Sequence, residues 1–387
     1  MFEAMTQYIG DFVSISCDLV GLGEPTHREP AFAHVRNELF AQLVDRGFRS
    51  IALETGRAAA LVVNDFVQGG PGSLDTVMRE GFSHAMFGVS EGNRRLVAWM
   101  REYNTGRSPK ERLAFHGMDA PMEFSAPSPR PYLEYARDFL GLDLDIAGPA
   151  GEDERWGRAE AVMDPAESPG DTAGAERLRA IADDMLAALY ARAPELIAAT
   201  SRDDWQRAKI QLTSGIGLLR YHRQAAERIE NGLRWSRLSA VRDALMARNL
   251  LDIRDIEARR GPTLVFAGNV HLQRNPSHMS MAGMDLTWFG TGAILASLLG
   301  TRYAFIAGSL GRSEGLGLAE PDPGTHEGRL QAGAAAWRLE VAGADRSAVS
   351  RTDTRPEQGY FPLDQETLDG ADAVLHIGEA ERARQRT

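Results

Sequence analysis

Five short apolar runs, separated by helical patterns, constrain this chain more than any other feature. They are "DLVGLGE" (18–24), "RSIALE" (49–54), "RLAFHGMD" (112–119), "PTLVFAGNVHL" (262–272) and "RYAFIAGSLG" (302–311). Such runs offer no polar face to water, so both of their faces must be covered. Helical patterns supply the cover. Residues 29–47 carry Phe32, Val35, Leu39 and Leu43 on one stripe, with a stop at Gly47. Residues 58–70, 91–104 and 292–300 read the same way. Runs at 335–343 and 371–380 predict closing strands. Buried strands alternating with helices predict an α/β fold, a mainly parallel β-sheet flanked by helices.

The alternation is interrupted once. Residues 121–175 are rich in Pro, Gly, Asp and Glu, and predict a short helix near 131–141 and a flexible link near 164–173. Residues 174–259 are helical in pattern throughout and hold one proline, Pro194. They predict an inserted helical bundle. The expected division is an α/β core of residues 1–140 and 260–387, with 141–259 as linker plus insertion.

Composition excludes several classes. A net charge of −11 argues against nucleic acid and anionic membrane as partners. The one cysteine, Cys17, forms no intramolecular disulfide and reads as core. Residues 1–15 lack the basic start and apolar block of a signal peptide. No run reaches the roughly 18 apolar residues of a membrane span. The expected location is therefore cytoplasmic. Lysine occurs only at Lys110 and Lys209, and with so much Ala and Gly this fits a GC-rich bacterial genome. No Walker loop, H-E-x-x-H, paired C-x-x-C or G-x-S-x-G elbow occurs, and "GLGE" and "GLGLAE" are not dinucleotide fingerprints. The expected cofactor is none.

The strand ends carry the chemistry. The first stops at Glu24, with His27 just beyond. The second stops at Glu54, the third runs into His116 and Asp119, and the fourth into Asn269 and His271. A single carboxylate at a strand end is often only the first polar residue of a loop. Ends of parallel strands, however, open on one crevice where ligands bind. Glu24, His27, Glu54, Asp119 and His271 are therefore expected to converge, with His84, His116 and Asn269 as further substrate contacts. Thr26 and Glu29 fit a capping box, which places His27 at a helix mouth. The helix dipole lowers an imidazole pKa there and a nearby carboxylate raises it, so His27 is expected to titrate near neutrality, as a general base requires. Arg36 falls inside the apolar stripe of its helix. A buried guanidinium calls for a carboxylate, and Glu24 or Glu54 is the expected partner. The same N and O donors would suit zinc or manganese, but residues on separate strands show no spacing that tests this, and the expected metal is none. His222, His278, His326 and His376 read as surface or satisfied core.

These residues resemble the erythromycin esterase family. Its pattern is a strand, then Gly-Glu-x-Ser/Thr-His, then an arginine, matched here by Gly23, Glu24, Thr26, His27 and Arg36, with a second glutamate at Glu54. "VNDFVQGG", "LVAWMREYN", "FHGMDA", "RDALMARNLL" and "FAGNVHL" are similar to later family segments, in order. The resemblance implies a hydrolase that opens a macrolide lactone without a required metal. It implies His27 as the base that activates water, with Glu24, Glu54, Arg36 and His271 shaping the site. In that reading Glu24 or Glu54 orients His27, and His271 donates to the developing oxyanion. The expected partner is a small-molecule substrate, in the range of a large natural product. It would be chosen by inserted helices that carry Leu212, Ile216, Leu219 and Trp235. Antibiotic resistance is the corresponding role. Two departures stand out: Gly268 occupies the place of a family histidine, and "REPAF" follows His27 where the family often has Gly-x-x-Glu-Phe. His84 or His116 is the replacement ring to look for. The departures keep two other readings open. One is a tailoring enzyme of natural product biosynthesis (cyclase, lyase or amide hydrolase) using the same base. The other is a noncatalytic binder of a hydrophobic or haem-like ligand.

Overall fold

The computed structural model describes residues 9–12, 16–84, 90–331, 336–343 and 346–385. Its strands are β1 Leu19–Glu24, β2 Ser50–Gly56, β3 Ala114–Asp119, β4 Thr263–Gly268, β5 Ser277–Met281, β6 Met284–Trp288, β7 Tyr303–Arg312, β8 Trp337–Val341 and β9 Ala373–Glu379. Seven of them form one sheet in the order β3-β2-β4-β1-β7-β9-β8, and β5 and β6 form a separate hairpin. All pairs in the large sheet are parallel except β8 with β9. The fold is α/β, with helices on both faces of the sheet.

Strand residues alternate between two cores. Val20, Leu22, Ile51, Leu53, Leu264 and Phe266 pack with the helices Ala31–Asp45 and Glu91–Asn104. Leu19, Ala52, Val265, Ala267, Phe305 and Ala307 pack with Asn231–Glu257 and Thr291–Leu299. This two-sided burial is why the runs are apolar without a polar face.

The strand expected over 262–272 stops at Gly268, and Asn269–Leu272 turns into a single helical turn. The physical reason lies in Asn269. Its amide donates to the Gly308 carbonyl at 2.8 Å and accepts from the Gly308 N–H at 2.9 Å, a pairing made by a side chain in place of a strand. To do so it crosses β1 over Gly23, where a Cβ would lie 2.1 Å from the Asn269 Oδ1. Only glycine leaves that passage open. The β5–β6 hairpin is not foreseen by the sequence reading. The strand expected over 335–343 is observed as Trp337–Val341, and Ala335 lies outside the described residues.

The inserted segment has its own core, with Trp156, Leu178, Met185, Leu212 and Leu219, and the helix Arg130–Leu140, expected with the α/β part, packs into it through Leu133, Ala136 and Leu140. The helix Asn231–Glu257 belongs to both parts. Its Trp235 and Leu238 pack toward the insertion, and its Met246, Leu250 and Ile253 pack on the sheet. The link expected to be flexible near 164–173 is instead packed. The Ser168 hydroxyl donates to the His222 carbonyl at 3.1 Å, and a Cβ on Gly170 would lie 1.9 Å from that same oxygen. Gly170→Ala is therefore expected to cost about 1–3 kcal/mol. The check is a lowered urea midpoint at unchanged m, and an unshifted midpoint would contradict this packing. Among the described residues, no helix is long and apolar enough to cross a membrane.

Candidate active site

The C-terminal ends of β1, β2, β3 and β4 meet at one edge of the sheet. Between β1 and the next helix the chain makes a turn, and His27 sits in it. Its Nδ1 lies 2.8 Å from Glu24 Oε1. Donation there assigns the Nδ1–H tautomer and leaves Nε2 directed at Glu54, whose Oε1 is 3.7 Å away. Glu24 and Glu54 are buried, while the His27 ring is partly open.

Glu54 is held on every side. Its Oε2 accepts the Gly268 N–H at 2.9 Å. Its Oε1 lies 3.3 Å from Arg242 Nη2 and 3.5 Å from His271 Nε2. His271 in turn places Nδ1 3.0 Å from Asp243, a fully buried carboxylate. Asp243 also accepts from Trp288 Nε1 at 2.7 Å and from the Thr291 N–H at 2.8 Å. On its other side Arg242 grips Asp119, with Nη2 at 2.5 Å and Nε at 3.2 Å. Asp119 also faces His84 Nε2 at 2.9 Å, and the other ring nitrogen of His84 faces Glu123.

Acids and cations thus alternate, and the pKa values follow. Burial would raise Glu54, but His27, His271 and Arg242 hold it down to about 2. Burial would likewise raise Asp119, yet Arg242 and His84 keep it far below the usual carboxylate range. Burial opposes charge on His27, and the Glu54 and Glu24 carboxylates overcome it and carry the imidazole up to about 9. His84 rises to about 9, against burial, through Asp119 and Glu123. His271 rises as well, against burial, through Asp243 and Glu54.

A cavity of about 460 Å³ opens on this cluster, lined among others by Glu24, His27, Arg36, Glu54, Phe82 and Phe266. Asp119 and His271, 1% and 8% exposed, stand behind Glu54. Other expectations are corrected. The capping box does not form: Thr26 Oγ1 accepts from the Arg28 N–H, Glu29 Oε1 accepts from the Ala31 N–H, and the helix begins at Ala31. His27 therefore sits ahead of the helix rather than in its first turn, and two carboxylates set its charge. Neutral titration is replaced by a resting imidazolium. Arg36 is buried as expected, but its donors go to Asn93 Oδ1 at 2.9 Å, to Asn37 Oδ1 at 2.7 Å and toward the Gly92 carbonyl, not to Glu24 or Glu54. Amide oxygens and the Phe266 ring beneath it satisfy the guanidinium. His116 faces Glu257 at 2.8 Å, on the helix side of β3. Asn269 has both ends of its amide on Gly308, so neither lines the cavity. His84 belongs to the charged cluster, through Asp119, and does not stand in the place of the missing ring.

The sequence reading missed Arg242 and Asp243 as members of the site. A signal existed: Asp243 shares one helical stripe with Met246, Leu250 and Ile253, and an acid in an apolar stripe needs a partner just as Arg36 does. Among the described residues, no group of three or more His, Cys, Asp or Glu side chains is disposed to hold a metal ion.

Comparisons with known proteins agree with this architecture. A family model described as Erythromycin esterase matches residues 43–386. The matched span includes Glu54, Asp119, Arg242, Asp243 and His271 and begins downstream of Glu24, His27 and Arg36. A Bacillus cereus protein superposes with a TM-score of 0.66 at 16% identity, over 96% of this chain and 90% of its own. A succinoglycan biosynthesis protein gives 0.67 at 17%, again over 96% and 90%. A mutant of the erythromycin esterase EreC, in its open conformation, gives 0.65 at 21%, over 94% and 91%. At these identities the likeness is one of fold. No curated protein sequence matches the chain.

Proposed function

Because this chain belongs to the erythromycin esterase family, we propose that it hydrolyses an ester or lactone, with His27 as the base that deprotonates the attacking water. The observation that carries the reading is the Glu24–His27 pair. Nδ1 is fixed on a buried carboxylate at 2.8 Å, and Nε2 faces Glu54 at 3.7 Å in the wall of the cavity. As water attacks the carbonyl carbon, its proton passes to Nε2. The imidazolium so formed lies between Glu24 and Glu54, which stabilise it. Arg36, lowered to about 10 by burial and still charged, sets a positive field in the cavity wall where the oxyanion grows. His271 and Arg242 offset the charge of Glu54, so that this carboxylate does not oppose the oxyanion. A direct oxyanion contact from His271, expected from the sequence, would have Glu54 in its way.

The substrate is proposed to be a small molecule, and the side chains named carry the chemistry. Antibiotic resistance in a bacterial cytoplasm is the corresponding role. Incubation with erythromycin and with simple esters, followed by mass spectrometry, tests the reaction class. Gain of one water is the expected product. Binding without turnover across the panel would instead favour the ligand-carrier reading.

The pH dependence has a definite sign. The base must be neutral, and its pKa is raised to about 9. At pH 7 only about 1% of His27 is in that form. kcat/KM is therefore expected to rise about tenfold per pH unit from pH 7 and to level off near 9. A plateau already reached at pH 7 would rule out this base.

A further inference from the structure

We propose that a cleft between the turn after β2 and the insertion binds one small oxyanion of the phosphate type. The site is separate from the cavity at His27 and does not depend on the hydrolase reading. After β2 the chain turns through Arg57, Ala58 and Ala59 into the helix Ala60–Val67. The Arg57 N–H donates to the Asp119 carbonyl at 2.7 Å, whereas the N–H groups of Ala58, Ala59 and Ala60 meet no acceptor among the described residues. Such groups at a helix start favour negative charge. Arg57, Ala58 and Ala59 line a cleft of about 30 Å³ together with Asp119, Tyr132 and Ser214. Tyr132 and Ser214 come from the helices Arg130–Leu140 and Arg202–Ala225, so the cleft lies on the seam between the sheet and the insertion. One water needs about 10–15 Å³ of such space, so the cleft takes a single small ion and nothing larger.

A second observation is independent of the helix start. Arg57 is 3% exposed, yet its Nη1 has no hydrogen-bond partner. Its Nη2 pairs with Asp252, and Lys209 draws on the same carboxylate. Arg248 stands close by, with Nη2 on the carbonyl of Thr213 at 3.1 Å, next to Ser214. Burial holds Arg248 down to about 10, Arg220 and Arg57 add to this, and Asp252 opposes them. Four cations thus share one acid, in a chain whose net charge is −11. Asp119, the acid on the cleft, has its oxygens taken by Arg242, His84 and the Ala120 N–H. The Ser214 hydroxyl donates to the Ile210 carbonyl at 2.8 Å, and the Tyr132 hydroxyl has no partner among the described residues. What remains to be satisfied is donors and positive charge. An oxyanion suits them better than a halide, because its several oxygens accept from guanidinium, phenol and backbone N–H together.

The test is calorimetric titration of the full chain with inorganic phosphate at pH 7.5, with sodium chloride holding the ionic strength constant. One site with a Kd at or below about 1 mM is expected. Tyr132→Phe removes only the hydroxyl and is expected to weaken binding about tenfold, and Arg57→Gln at least as much. Arg382→Gln, beyond β9 in the other half of the sheet, is the control for general charge and is expected to change nothing. Should Arg57→Gln fail to fold, Tyr132→Phe decides alone. Absence of binding to the parent up to about 20 mM phosphate overturns the proposal. Equal affinity in the parent and in both cleft variants also overturns it, and means an adventitious ion only.

Discussion

Arg242→Met is expected to cost about 3–5 kcal/mol of stability and to abolish hydrolysis with it. Arg242 is the cation that holds two buried acids apart, with Asp119 at 2.5 Å and Glu54 at 3.3 Å. Methionine fills similar volume but leaves both acids facing each other with less compensation. A domain is stable by only about 5–15 kcal/mol, so the loss is a large share. The pH sign follows from the two depressed carboxylates. Their contribution is fully present above their unfolded pKa values, near 4, and is lost as pH falls through the folded ones. In the variant those folded values rise. The difference from the parent is therefore greatest at neutral pH and narrows toward pH 4. Urea unfolding of both proteins at pH 8 and pH 4.5 measures it. Adding Asp119→Asn to the variant is expected to recover part of the loss. A cost under about 1 kcal/mol at pH 8 would show that the clamp does not carry this weight.

His27→Ala is expected to lower kcat/KM by about 10²–10⁴-fold while the protein still folds. The ring is partly open and belongs to no hydrophobic core, so its removal leaves little void. Glu24→Gln separates orientation from charge. The glutamine still reaches His27 but no longer supplies an anion. The imidazole pKa then drops from about 9, and the alkaline plateau moves to lower pH even as the maximum rate falls. Circular dichroism and a Tm within a few degrees of the parent establish that the fold survives. If His27→Ala retains activity within tenfold of the parent, another group takes the proton from water.

Much of this was legible in the chain because apolar runs and their endings are local signals. The strands β1 and β3 end at Glu24 and Asp119, where the apolar pattern stops, and β2 runs two residues past Glu54, to Gly56. The helix Glu91–Asn104 begins and ends as its pattern predicts, capped by Ser90. What the pattern does not carry is the direction of hydrogen bonds. Arg36 was expected to find an acid because amides at Asn37 and Asn93 look like ordinary polar residues, although they satisfy it equally well. Thr26 and Glu29 have the right spacing for a cap, yet each turns to a nearer backbone N–H. The charge on His27 depends on Glu54, thirty positions beyond Glu24 and brought near only by β2. Arg242 and Asp243 were hidden for a different reason: a long helix that serves two cores blurs the stripe in which they sit.

Strand order also dictates a schedule of birth. β1 and β2 never touch each other; each pairs with β4, which lies between them and is encoded after the whole insertion. A ribosome emits about 5–20 residues per second, so the early strands wait many seconds for their common neighbour, with raw edges available to other chains. The inserted helices, rich in local contacts, are placed to fold during that delay. Glu54 meets Gly268 and His271 only when this later strand docks. A chain that ends before β4 lacks both the Gly268 N–H and the His271 ring that hold Glu54, so the site comes together only after the whole insertion has been made.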